Sequence, residues 1–146
     1  MKTAVLTAKN RIQLKFWSKE SAEFYSILEK VKLIDGRKFE SETKAWTIPL
    51  TPPAIETLTH LEFDISPELM TWYKEEIKRV VEIREEIKHI DFEDSRLYSY
   101  QVPHAKQIIE SLLIGQAALD ASDTGTGKTY VALAVAKKLN LKPIVL

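Results

Sequence analysis

The sequence has no cysteine among its 146 residues, which excludes a disulfide framework and any zinc site built on thiolates. No stretch approaches the roughly 20 consecutive apolar residues that a membrane-spanning helix needs. The first ten residues, MKTAVLTAKN, lack the apolar core of a secretory signal. Net charge is missing too, because 21 Lys/Arg cancel 21 Asp/Glu. Glycine is scarce, with four in all, and two of these stand at 125 and 127. What remains, 45% apolar and 29% charged, is the composition of a folded globular chain. The expectation is a soluble intracellular protein, cytoplasmic or nuclear, with no membrane partner.

Overall neutrality hides an uneven distribution. Residues 1–48 carry ten Lys/Arg and six Asp/Glu, a local +4, and 95–146 carry six against three, a local +3. Between them, 49–66 come to −3 and 67–94 to −4. Two mildly basic ends can localise a polyanion.

In RIQLKFW (11–17), Ile12, Leu14 and Phe16 alternate with Arg11, Gln13 and Lys15, the period of a half-buried strand. Residues 3–8 are its hairpin partner, with Lys9-Asn10 read as a two-residue turn because Asn tolerates positive φ. After Ser18, Phe24, Ile27, Leu28 and Val31 recur at helical spacing. Asp35-Gly36 signals a turn, and KAWTIPL is a short strand with Trp46 and Ile48 on one face. Thr51-Pro52-Pro53 starts a helix to about His60. Ser66-Pro67-Glu68 opens a longer one to about Ile90, striped by Met70, Tyr73, Ile77, Val80, Val81 and Ile87. Beyond Leu97 the pattern predicts a helix over 101–115, an apolar strand AALDA (117–121), a glycine loop, a helix over 128–140 and a strand from Pro143. That order opens a parallel α/β sheet. The fold class expected is therefore α/β in three parts. These are a small ββαββα-like module over 1–65, a connecting helix and linker over 66–94, and the incomplete start of a P-loop parallel-sheet domain over 95–146.

The run ASDTGTGKTY (121–130) carries the chemistry. Phosphates need hydrogen-bond donors at close range, and backbone N–H groups in a tight loop supply them where glycine permits the torsions. The helix that follows adds its positive N-terminal end. Ser122, Thr124, Gly125, Thr126 and Gly127 form the cradle, Lys128 reaches the β- and γ-phosphates of ATP, and the Thr129 hydroxyl is placed to ligate Mg²⁺. Ser122 stands where the usual G-x-x-x-x-G-K-[ST] pattern has its first glycine, a small residue at the loop entrance. Upstream, in LYSYQ (97–101), the Gln101 amide offers both a donor and an acceptor to the adenine edge, with Tyr98 or Tyr100 beside the base.

These two elements together resemble the start of the motor core of superfamily 2 helicases. The resemblance covers about residues 95–146 and implies a RecA-like domain in which Gln101 reads adenine and Gly125, Gly127, Lys128 and Thr129 hold the triphosphate. Lys128 and Thr129 would be its catalytic positions. FYSILEKVKLIDGRKFESETKAWTIPL (24–50) is similar to the HARP-type module that precedes some annealing helicases, matching it at Gly36, Arg37, Lys38, Phe39, Thr43, Lys44, Trp46 and Pro49. Phage recombination helicases also carry a small module before such a core. The implied partner is duplex or branched DNA, contacted without sequence preference through Arg11, Lys15, Arg37, Lys38 and Lys44. Trp46 is either a core residue or a base-stacking one.

Asp120 and Asp123 are the acids nearest the loop, but neither is placed as a Walker B acid, and His60, His89 and His104 are scattered singles. The resemblance thus implies the front end of a longer helicase, with the rest of the motor as a partner. A non-enzymatic DNA-binding protein with a vestigial loop, or another P-loop ATPase, are the alternatives. The 146-residue chain is expected to bind ATP without turning it over. Phosphate release in the presence of DNA should not exceed that of a Lys128→Ala control.

Overall fold

The structure is a computed structural model that describes residues 1–93, 96–115 and 117–142. It is a mixed α/β fold whose elements run β1 (Lys2–Leu6), β2 (Arg11–Phe16), α1 (Ser21–Lys32), β3 (Lys38–Glu40), β4 (Ala45–Pro49), α2 (Pro52–His60), β5 (Asp64–Ile65), α3 (Pro67–Lys88), α4 (Gln101–Gly115) and α5 (Lys128–Lys138). It divides into two compact units, Met1–Lys78 and Arg79–Leu146. Among the described residues no helix is long and apolar enough to cross a membrane.

The first unit is a five-stranded sheet in the order β3-β4-β2-β1-β5. All pairs are antiparallel except β1 with β5. Register follows from the alternation in β2. Ile12 lies opposite Ile48 and Leu6, and Leu14 opposite Trp46 and Ala4, so one face is apolar across three strands. Ile27 and Val31 of α1 and Ala54, Ile55 and Leu58 of α2 cover that face, and Leu69 and Phe63 close the core. Pro52 and Pro53 stand in the first turn of α2, where their missing N–H groups cost nothing.

The opposite face carries Arg11, Gln13, Lys15, Thr47 and Lys38. The Arg11 guanidinium reaches across it. Its Nε donates to Thr47 Oγ1 at 3.2 Å, and its Nη2 donates to Thr47 O at 3.1 Å and Gly36 O at 2.6 Å. That cover leaves Thr47 only 3% exposed on the face turned away from α1 and α2. Gly36 meets two demands at once: its φ is +70°, and a Cβ there would stand 2.8 Å from Pro49 Cγ.

Three expectations change. The hairpin connection is longer than two residues: Asn10 N–H donates to Thr7 O and Thr7 N–H to Arg11 O. Asn10 takes the left-handed φ of 53°, the geometry of a type I turn followed by a left-handed residue. β5 is an added strand that hydropathy could not announce, because a two-residue ladder has no period to detect. Finally, Ala117–Ala121 is not a strand, and Leu119 is 92% exposed. A strand needs a neighbour to satisfy its N–H and C=O groups. Among the described residues of the second unit no strand lies beside this segment. The strand expected from Pro143 lies outside the described residues, so the parallel sheet is not shown.

The second unit is helical where described. Ile87 from the end of α3 packs with Phe92, with Ala105 and Ile109 of α4, and with Val131, Ala134 and Val135 of α5. Ala105 and Ile109 are one helical turn apart and both fully buried. α3 contributes to both cores, with Leu69 and Trp72 in the first unit and Ile83 and Ile87 in the second. Ile48 is fully buried at the sheet centre. Ile48→Ala should therefore cost about 2–5 kcal/mol, read as an earlier chemical-denaturation midpoint by circular dichroism.

Candidate functional site

The glycine loop belongs to the second unit. Gly125 and Gly127 have φ of +82° and +81°, a region that side chains other than glycine rarely occupy. Gly127 is also the N-cap of α5, so the loop feeds directly into a helix N-terminus. The N–H groups of Lys128 and Thr129 open that helix, where no preceding helical carbonyl can reach them. Thr126 Oγ1 donates to Asp123 O at 2.8 Å and closes the turn. The Lys128 ammonium folds over the loop, donating to Ser122 O at 2.6 Å and Asp123 O at 2.8 Å. It has three N–H groups, so these two bonds leave one donor for an anion.

Gln101, the first residue of α4, is only 4% exposed. Its Oε1 accepts from Tyr98 N–H at 2.9 Å and its Nε2 donates to Thr126 O at 2.8 Å. The side chain therefore joins the LYSYQ turn to the loop. It also explains a second demand on Gly127, because a Cβ there would lie 2.5 Å from Gln101 Nε2. Tyr98 and Tyr100 are 69% and 65% exposed and stack on each other, with ring centroids 5.7 Å apart and planes 7° from parallel. They border a cavity of about 320 Å³ with Arg96, Gln101, the Gly125–Gly127 loop and Tyr130. A second cavity, of about 340 Å³, is lined by Lys128, Thr129, Asp120, Ile108, Ala118 and Leu133.

The donors fit a polyphosphate: backbone N–H groups, a helix N-terminus and one lysine converge on the loop. Among the described residues no cluster of three or more His, Asp or Glu could hold a metal by itself. Mg²⁺ beside Thr129 would thus need oxygens from a phosphate, which is how that ion is usually bound. Of the residues singled out in the sequence, Tyr98, Gln101, Ser122, Thr124, Gly125, Thr126, Gly127, Lys128 and Thr129 all belong to this one unit. The candidate nucleic-acid residues belong to the other, where they divide. Lys15 and Lys38 sit with Arg11 on the open sheet face, whereas Trp46 lies on the helix-covered face against Phe39, with ring centroids 5.3 Å apart. Arg37 and Lys44 are exposed in the turns flanking β3.

The sequence placed Asp120 beside the loop and His104 among scattered histidines but assigned neither a role in the site. Asp120 Oδ1 accepts from Ser122 Oγ at 2.6 Å and from Ser122 N–H at 3.0 Å. His104 Nε2 is 3.1 Å from Asp120 Oδ2, an electrostatic contact in which the ring is not aligned for a full hydrogen bond. The signal available was the i,i+3 spacing of Gln101 and His104, which puts both on one face of α4. The Ser122 hydroxyl, then its N–H, then the imidazole hold the Asp120 carboxyl down at about 2 from an ordinary 3.8. Its folded pKa is depressed, so these bonds contribute fully above pH 3.8 and are lost as pH falls through about 2. Carboxyl carbon NMR should place the Asp120 midpoint near 2. Ser122→Ala should raise it by removing the largest cause.

No family model matches the chain, and no solved structure does. Over 51 residues it is 45% identical to a protein of Acanthamoeba polyphaga mimivirus named Putative ATP-dependent RNA helicase. The match covers 35% of this chain and 10% of that protein, so the chain spans about a tenth of its relative's length. The similarity is thus partial, and it is to a protein so named.

Proposed function

We propose that this chain provides the triphosphate-gripping part and a nucleic-acid-contacting part of an ATP-dependent helicase or translocase acting on duplex or branched DNA. The observation that carries the reading is the loop itself. Two left-handed glycines deliver N–H groups and Lys128 to the N-terminus of α5. The phosphates of ATP lie along that loop, with Lys128 on the β- and γ-phosphates and Thr129 on Mg²⁺. The base lies in the tyrosine-lined cavity, where Tyr98 or Tyr100 offers a π-face. Bound Mg²⁺ would neutralise charge on the phosphates, and this chain's residues would hold them in place.

On the first unit, phosphate contacts fall to Lys15, Arg37, Lys38 and Lys44. Arg11 is committed to Gly36 and Thr47, and Trp46 is packed against the core. Backbone contacts of this kind position a duplex without reading its sequence. RNA is the second substrate reading, favoured by the name of the mimivirus relative.

Two measurements test this. Lys128→Ala should remove Mg²⁺-ATP binding in calorimetry, and retained affinity would sink the phosphate assignment. Nucleic-acid affinity of the whole chain should fall steeply with salt, and the slope should flatten by about 0.9 for each duplex phosphate that a variant no longer neutralises. Lys15→Gln with Lys38→Gln should flatten it by up to about 1.8. An unchanged slope in the folded double variant would clear this face of the role. Matched DNA and RNA duplexes in the same titration decide between the two substrates.

A further inference from the structure

α4 meets the loop at two points. Gln101 holds the loop apex through Thr126 O. One turn on, His104 Nε2 stands 3.1 Å from Asp120 Oδ2, and the other oxygen of that carboxylate takes both the N–H and the hydroxyl of Ser122. Between helix and loop lies a cavity of about 180 Å³, bordered by Gln101, His104, Asp120, Ser122, Thr126 and Lys128, among others. At this place the loop is held by bridging side chains, not by close packing against α4.

Ser122 is the joint. Its carbonyl receives the Lys128 ammonium, so the position of that carbonyl helps set where the lysine stands. Its hydroxyl lies 3.1 Å from Thr126 Oγ1. Each hydroxyl has one proton, and both are used elsewhere: Ser122 on Asp120 and Thr126 on Asp123 O. The two oxygens therefore touch without an additional bond, and Asp120 supplies the directional hold on Ser122. A glycine at this position would keep the N–H but lack the Oγ–H. With Nε2 as its N–H side, His104 presents the electropositive edge of its ring to Asp120 Oδ2, a 3.1 Å contact that is not aligned as a full hydrogen bond.

We propose that His104, Asp120 and Ser122 form a positioning relay that ties the loop entrance to α4, complementing the hold of Gln101 on its apex. The relay acts on a phosphate through Lys128 and the loop N–H groups. His104 and Asp120 are positioning residues, not catalytic ones. Ser122 is then a functional substitute for the glycine that commonly opens such a loop, not a tolerated departure. The proposal deepens the phosphate-binding reading and rests on it.

The test uses the whole chain with inorganic tripolyphosphate and ATP as probes. Ser122→Ala should weaken both probes by about tenfold, the cost of removing one hydrogen bond to a charged group. His104→Ala, which removes a contact not aligned as a hydrogen bond, should weaken both by a smaller factor. ATP and tripolyphosphate should weaken by the same factor, since no base contact is touched. The double variant should bind little more weakly than the worse single one, because both cut the same relay. His104→Gln, whose amide N–H can replace Nε2–H, should recover much of the affinity and serves also if the alanine variant does not fold. Amide hydrogen exchange gives a readout independent of ligand: His104→Ala should speed exchange at the Ser122 N–H, which His104 does not touch. Unchanged Ser122 exchange in a folded variant, or fully additive effects, would overturn the relay. If wild type and Lys128→Ala both fail to bind tripolyphosphate, the phosphate reading falls, and the exchange experiment still decides the relay.

Discussion

Backbone N–H groups can hold an anion only if several of them face one point, and an isolated chain does not stay in such a shape. At this loop two residues sit at φ near +80°, and the turn is closed by Thr126 on Asp123 O. That conformation is available to glycine and costly to most other residues. It also loses much entropy on ordering, so something outside the loop must define it. α4 does so through Gln101 and, on our proposal, through His104. The burial of Ala105 and Ile109 beneath α4, against Val131 and Val135 of α5, keeps those two side chains at fixed positions. The small core of the second unit thus bears on the loop: it sets the helix, and the helix sets the loop.

The first unit solves a different problem with the same kind of device. α1 and α2 cover one face of its sheet, so polar groups on the other are satisfied by side chains that lie across it. Arg11 does this for Thr47 and Gly36 with three hydrogen bonds. Its aliphatic stem also covers strand surface on the face turned away from α1 and α2. The cost is that this guanidinium is not offered outward. Lys15 and Lys38, flanking it on the same face, carry short-range positive charge toward solvent without such a commitment. A cation's place in sequence says nothing about this distinction, which depends on whether backbone carbonyls lie within its reach.

α3 is charged along most of its length yet contributes to both cores. Leu69 and Trp72 belong to one and Ile83 and Ile87 to the other. Its exposed surface is balanced locally: Lys88 lies 2.6 Å from Glu85 and holds that carboxyl below its usual range. Such exposed pairs add little stability. They keep a long helix soluble between two apolar anchor points. The stripe read along this helix included Val81, which is half exposed, and omitted Leu69, which is fully buried. Periodicity identifies a face, but which residues of that face meet a core depends on where the neighbouring elements stop.

By itself the sequence determined the elements whose cause is local. Alternation in β2, helical spacing in α1, proline at the start of α2 and the Gly-Thr-Gly-Lys-Thr run leading into α5 each act over a few residues, and each appears where it was read. Gly125 and Gly127 could be assigned positive φ because no other residue type adopts it so freely. The tertiary structure alone decided what lies far apart in the chain. β5 beside β1 is a two-residue ladder with no pattern of its own. Ala117–Ala121 has strand composition, but a strand exists only with a partner to bond. Trp46 took the covered face because Leu14 lies opposite it. Gln101 turned its amide toward Tyr98 and Thr126, and Asp120 met both Ser122 and His104. A side chain's hydrogen-bonding capacity is written in its residue type, whereas its partner is chosen by whatever the fold brings within about 3 Å.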